Sequence, residues 1–228
     1  MTGLQRWPGR YTDRHGSQDV VFETDGRQLI RTTIRDVLFE GSGMDDLGAL
    51  AGEPPEAMFR FLDGALCACL LEWRLPLPVA HAGQGVREGV LHCALRLPDP
   101  AAGSAPGPDG ESLVLTLRLD GREYGGGDDC GDFENGLYAI QRELPPGIRL
   151  TACIACAWSD YSPVGHGLMA GLACFRDVKA RYRRVDGKHG PHGVFAIWPA
   201  HTELVQETWL CRDFEPRAAH TGYRGTFP

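Results

Sequence analysis

Four cysteines in the last third of the chain, Cys153, Cys156, Cys174 and Cys211, constrain its fold more than any other feature. Cys153-Ile-Ala-Cys156 is a C-x-x-C pair, whose two sulfurs approach one metal from neighbouring chain positions, and Cys174 and Cys211 follow singly. Together they supply four thiolates, enough to close one tetrahedral Zn2+ site and hold remote segments together. A site closed by four thiolates leaves no open position for water, so zinc held this way is structural rather than catalytic. Three other readings of these residues stay open. They are buried free thiols, a redox C-x-x-C lacking the usual βαβ context, and a site in which His166 replaces one thiolate.

The rest of the chain reads as strands. In Leu113–Leu119 four leucines share one face, opposite Val114, Thr116 and Arg118, and in Val90–Leu97 the residues Leu91, Cys93, Leu95 and Leu97 do the same. Cys67, Cys69, Leu71, Trp73 and Leu75 alternate likewise, which places Cys67, Cys69 and Cys93 in a core as small hydrophobes and not among the zinc ligands. Further strands are expected at Asp19–Glu23, Gln28–Glu40, Gly136–Glu143, Gly147–Cys156, Gly193–Trp198 and Glu203–Cys211. A short helix broken at Pro54-Pro55 is expected within Asp45–Leu62, and a second helix at Cys174–Val185 with Phe175, Val178, Tyr182 and Val185 on one stripe. Thirty glycines and sixteen prolines punctuate these runs, and Pro98–Gly110 forms a long loop. Many strands without a βαβ rhythm predict a mainly β protein. The expected architecture is an antiparallel β-sandwich-like domain over residues 1–147 and a zinc-stapled β-rich segment with one short helix over 148–228, packed on it or continuous with it.

Net charge is −7 and unevenly spread. Residues 1–150 carry 14 Arg and Lys against 23 Asp and Glu, and residues 151–228 carry 9 against 7. The acidic first part is a poor match for a nucleic-acid backbone. Arg176–Lys188, with six basic residues around Tyr182, keeps nucleic-acid binding as a weaker alternative. The first ten residues carry no apolar stretch of the secretory kind, and the longest apolar run, Ala65–Leu71, is too short to cross a bilayer. Eight cysteines without an export signal fit a cytoplasmic, reducing setting.

The blocks Cys153–Pro163, Ala173–Lys179, Val205–Arg217 and Thr221–Gly225 resemble a family of bacterial proteins of unknown function, mainly over residues 133–225. The resemblance implies that Cys153, Cys156, Cys174 and Cys211 act together, and it implies no activity. Three further constellations remain. Asp160, His166 and Glu207 are the candidates for acid–base chemistry in a small hydrolase, the alternative from a different functional class. The acidic run Gly125–Glu134 reads as a solvated turn or a weak calcium loop. Glu203, Glu207, Glu215, Arg217 and Arg224 are expected to form an ion-pair network, with the tail docking on the core. The preferred reading is a binding or interaction protein with structural zinc and a protein partner.

Overall fold

The computed structural model describes residues 3–52, 54, 57–99, 110–162, 165–218 and 224–228. Most of the loop expected at Pro98–Gly110 therefore lies outside the described residues, as do Pro55, Pro163 and Thr221–Tyr223. The first nine strands are β1 (Gln5–Asp13), β2 (Gly16–Thr24), β3 (Ile30–Ile34), β4 (Val37–Gly41), β5 (Gly48–Ala49), β6 (Arg60–Leu62), β7 (Ala65–Cys67), β8 (Cys69–His81) and β9 (Gly85–Leu97). They are followed by β10 (Ser112–Leu119), β11 (Arg122–Gly125), helix α1 (Phe133–Glu143) and β12 (Ile148–Leu150). The remaining elements are short: β13 (Ser159–Tyr161), β14 (Leu172–Cys174), helices α2 (Lys179–Tyr182) and α3 (Val194–Ile197), and β15 (Glu203–Val205).

The protein is mainly antiparallel β, as its alternation predicts. Twelve strands share one sheet in the order β11-β10-β9-β8-β1-β2-β3-β4-β5-β7-β6, with β12 also bonded to β8. The walk outward from β8 returns to its start, because β7 continues through Ala68 straight into β8. Ala68 sits at φ 53°, and this left-handed residue turns the corner. Alternate residues of every long strand point into one core, among them Trp7 and Tyr11 of β1, Phe22 of β2, Trp73 of β8, and Leu113 to Leu119 of β10. Phe59 joins opposite parts of this wall, with ring centroids 6.2 Å from Tyr11 and 5.0 Å from Phe39. Tight Asp-Gly turns at Asp63-Gly64 and Asp120-Gly121, with both residues at positive φ, close two of the hairpins.

Several sequence expectations change. Gly136–Glu143 is not a strand but most of α1, where Phe133, Leu137 and Ile140 reach the core at helical spacing and Asp132 caps the N-terminus by accepting from Asn135 N at 2.7 Å. Residues 45–62 hold strands β5 and β6, and no helix among those described. Gly193–Trp198 is the one-turn helix α3 running into a 3-10 turn, and the helix expected from Cys174 is reduced to a 3-10 turn at Arg176–Val178 followed by α2. Glu203–Cys211 is extended only as far as Val205. β1 lay outside the expected strands, although Trp7, Gly9 and Tyr11 fall on alternate positions.

The second sheet, β13-β14-β15, sits over a smaller apolar cluster built from Trp158, Phe175, Tyr182, Val185, Val194 and Ile197. Phe175 and Tyr182 stack with centroids 4.9 Å apart. This region is fastened to the large sheet at several points. Gln206 N donates to the Gly26 carbonyl at 3.0 Å, Arg27 Nε pairs with Glu203 at 2.5 Å, and Leu168 N donates to Asp45 Oδ1 at 2.7 Å.

At the end of β1, Asp13 accepts both Arg35 nitrogens, at 2.6 and 2.8 Å, together with Tyr11 Oη at 2.9 Å. Burial alone would raise its pKa, but these bonds outweigh it and hold the carboxyl down to about 2. A depressed folded-state pKa contributes stability that is complete above the ordinary aspartate range and is lost as pH falls towards 2. Asp13→Asn is therefore expected to lower the unfolding free energy at neutral pH by about 1–3 kcal/mol. It should also flatten the acid limb of a stability–pH profile, followed by urea denaturation from neutrality down to pH 3.

Candidate metal centre and the buried polar layer beside it

After β12 the chain enters a 3-10 turn at Cys153–Ala155, which places the two C-x-x-C thiols on one tight bend; Cys156 N donates back to the Cys153 carbonyl at 3.1 Å. Cys153 N is bonded to the Trp209 carbonyl at 2.6 Å, bringing the segment that leads into Cys211 against the turn. Cys174 ends β14, where it lies in register with Ser159 of β13, and Ser159 Oγ donates to the Cys153 carbonyl at 2.5 Å. Backbone pairing thus gathers the four sequence-predicted cysteines into one neighbourhood. Cys153, Cys156 and Cys174 are buried, Cys211 is half-buried, and all eight cysteines of the chain are free thiols.

Burial pushes the Cys153, Cys156 and Cys174 thiols up; backbone bonds at Cys156 and Cys174 oppose this, and the neighbouring thiols add to it. Every pair among the four sulfurs is close enough for one thiolate to disfavour another. Arg176 opposes this at Cys174, where its Nη1 donates to Sγ at 3.6 Å. Four such groups ionise together only with a cation among them, which inverts the local sign. Among the described residues, no group of three or more His, Cys, Asp and Glu side chains is arranged so that it could hold a metal ion as it stands.

The hydrolase candidates differ in exposure and are linked through Tyr161. Asp160 is 2% exposed and Glu207 0%, whereas His166 is exposed and stacks on the Tyr161 ring with centroids 4.0 Å apart. Tyr161 stands between them, donating through its hydroxyl to Glu207 Oε1 at 3.1 Å while its backbone N–H donates to Asp160 Oδ1 at 2.9 Å. Asp160 Oδ2 accepts the Tyr182 hydroxyl at 3.0 Å, and Arg224 Nε stands 3.8 Å from Oδ1. These contacts account for the carboxylate as part of a buried hydrogen-bonded layer.

The expected five-residue ion-pair network divides among separate partners. Glu203 pairs with Arg27 and Arg176, Glu215 with Lys179, and Arg224 with Glu134, while Arg217 Nη2 donates to the Tyr138 hydroxyl at 2.6 Å. The reason is α1, which presents Glu134 and Tyr138 to the tail; reading that segment as an acidic turn and a strand concealed both. The tail does dock, with Phe227 against the Tyr138 ring at 4.9 Å. The acidic run is likewise spent on local structure, since Asp129 Oδ1 accepts Leu113 N at 2.8 Å and Gly131 N at 3.0 Å, and Asp132 caps α1. In Arg176–Lys188, Lys179 and Arg183 lie over the Trp158 ring at 4.7 and 4.8 Å, and Tyr182, 1% exposed, is not available to stack on a base.

Residues 5–159 match the model of a family of unknown function, DUF6304, and the chain belongs to that family. The matched span includes the C-x-x-C pair and ends before the blocks at 173–179, 205–217 and 221–225. No curated protein and no solved structure matches the chain. No helix among the described residues is long and apolar enough to cross a membrane.

Glu207 supplies a pH test of the buried layer. Burial raises its carboxyl to about 8, against the bond from Tyr161 that favours the anion; the nearby acids Asp132 and Glu134 add to the rise. The folded state then holds a proton that the unfolded state releases at ordinary glutamate pH, so stability falls as pH rises from about 4.3 towards 8. Glu207→Gln keeps the shape without the titration. Its stability relative to wild type is expected to improve progressively from pH 5 to pH 8, by at most about 1.4 kcal/mol per pH unit. Parallel denaturant titrations check this, and curves that keep a constant separation would contradict it.

Proposed function

We propose that the protein is a binding module whose C-terminal segment is stapled by a structural zinc ion on Cys153, Cys156, Cys174 and Cys211, working in a reducing, cytoplasmic compartment. The observation that carries this reading is the convergence of one C-x-x-C turn and two distant cysteines into one neighbourhood, where backbone bonds tie the segments of Cys174 and Cys211 to the turn at Cys153–Ala155. Free thiols throughout the chain are in keeping with a reducing compartment. Metal binding requires the four sulfurs to stand closer to one another than they do here. Zinc would supply charge neutralisation and a cross-link between the two apolar cores, since Cys153 belongs to the larger and Cys156 to the smaller. With four thiolates bound, the ion would have no site left for substrate, so the work of the protein lies in recognition by its surfaces, with a protein partner as the expected occupant.

Elemental mass spectrometry of tag-free protein is expected to give one zinc per chain, and little or none in Cys211→Ser. Because metal binding energy is folding energy, Cys153→Ser and Cys211→Ser should lose most of the folded population. Cys93→Ala, in the core of the large sheet, should cost only about 1–3 kcal/mol. Metal-free wild-type protein, or equal losses at Cys93 and Cys211, would sink the assignment.

A further inference from the structure

At the corner where β7 turns into β8, the sheet leaves a cleft of about 470 Å³, a volume suited to a small organic molecule. All of its lining comes from residues 11–99, so it is separate from Cys153, Cys156, Cys174 and Cys211 and does not depend on the zinc reading. Its lining is largely apolar: Tyr11, Phe59, Cys67, Cys69 and Leu97 are all buried there.

The walls carry Arg14, Arg60 and Arg96 against Asp13 and Asp99, and Asp99 has a partner of its own. Asp13 is committed to Arg35, and Arg14 is engaged by His15 Nε2 at 2.9 Å and the Ala57 carbonyl at 3.2 Å. Arg60 and Arg96 also line the cleft, and neither forms an ion pair or a side-chain hydrogen bond among the described residues. Arg60 Nε is moreover buried with no partner. That nitrogen has no surface for a ligand to touch, so an acceptor from outside the chain would meet the terminal Nη groups of the guanidinium. Guanidinium groups match the oxygens of carboxylates and phosphates by charge and shape.

We infer that this cleft binds a small organic anion, a carboxylate or phosphate on an apolar body, with its oxygens on Arg60 and Arg96 and its body on Phe59 and Leu97. The acidic surface of the first 150 residues works against anions at long range, which makes the local pair of arginines the selective element.

Isothermal titration calorimetry with phenyl phosphate and with benzoate tests the inference, using benzyl alcohol as the uncharged control. Saturable binding of one molecule per chain is expected for at least one of the two anions, and none for the alcohol; which anion binds separates the phosphate from the carboxylate class. Arg60→Gln and Arg96→Gln should each weaken binding about tenfold or more, with melting temperature as the check on folding. Arg96 is exposed on β9, so its variant keeps the test intact if Arg60→Gln is unstable. Failure of both anions to saturate, equal binding of the alcohol, or undiminished affinity in the folded Arg96→Gln protein would overturn it.

Discussion

Strand β8 carries neighbours along its whole length, and the arrangement of the rest follows from how they divide it. On one edge β9 pairs with it from Cys69 to His81. On the other edge β1 covers Leu70 to Trp73 and then leaves, and β12 arrives at Val79 to His81. Between those two stretches stand Pro76 and Pro78. The Pro78 carbonyl accepts Thr151 N at 2.9 Å, so the residue faces the edge between β1 and β12, and Pro76, two positions away, faces it too. Proline has no N–H to leave unpaired, so a gap in the ladder costs little there. An edge that would otherwise invite a foreign strand is blunted by the two residues least able to accept one.

β12 is therefore the hinge point between the large sheet and everything after it. Three residues of pairing deliver the chain to Cys153, and the next four residues step from the larger apolar core into the smaller one. Such a crossing needs reinforcement, because each short strand of the second sheet contributes only three residues of ladder. The reinforcement is polar: Tyr161, Tyr182, Asp160, Glu207 and Arg224 fill the space beside the crossing with hydrogen-bonded groups. Breaking one partner in such a layer leaves another buried and unsatisfied, which penalises alternative packings of the short elements.

The long strands were legible because their cores are written in period two, and Leu113–Leu119, Val90–Leu97 and the run through Trp73 bury the faces that alternation assigns to them. β1 was harder, since Gly9 breaks its apolar series and charged residues interrupt it. α1 reads as a strand because Gly136 to Glu143 is too short to separate the two periods, and the deciding signals are the Asp132 cap and Phe133, which belong to the preceding acidic run. Beyond Cys156 local pattern counts for little. Elements of three or four residues are fixed there by partners far away in sequence, such as Arg224 with Glu134 and Gln206 with Thr24. The cysteine positions could be picked out, and the polar layer around them could not.

The corner at Ala68 has a kinetic side. β1 can pair with β2 as soon as both exist, but its other neighbour is β8, with Gly9 opposite Trp73. All of β3 to β7 lies between those two partners in sequence, and the wall is complete only with β8 paired beyond the corner at Ala68. Loop closure of that length is paid in entropy before its contacts return anything. A chain in which the β1–β8 pairing fails leaves an open strand edge beside the apolar face of Trp7, Tyr11 and Phe22, the combination that invites misassembly.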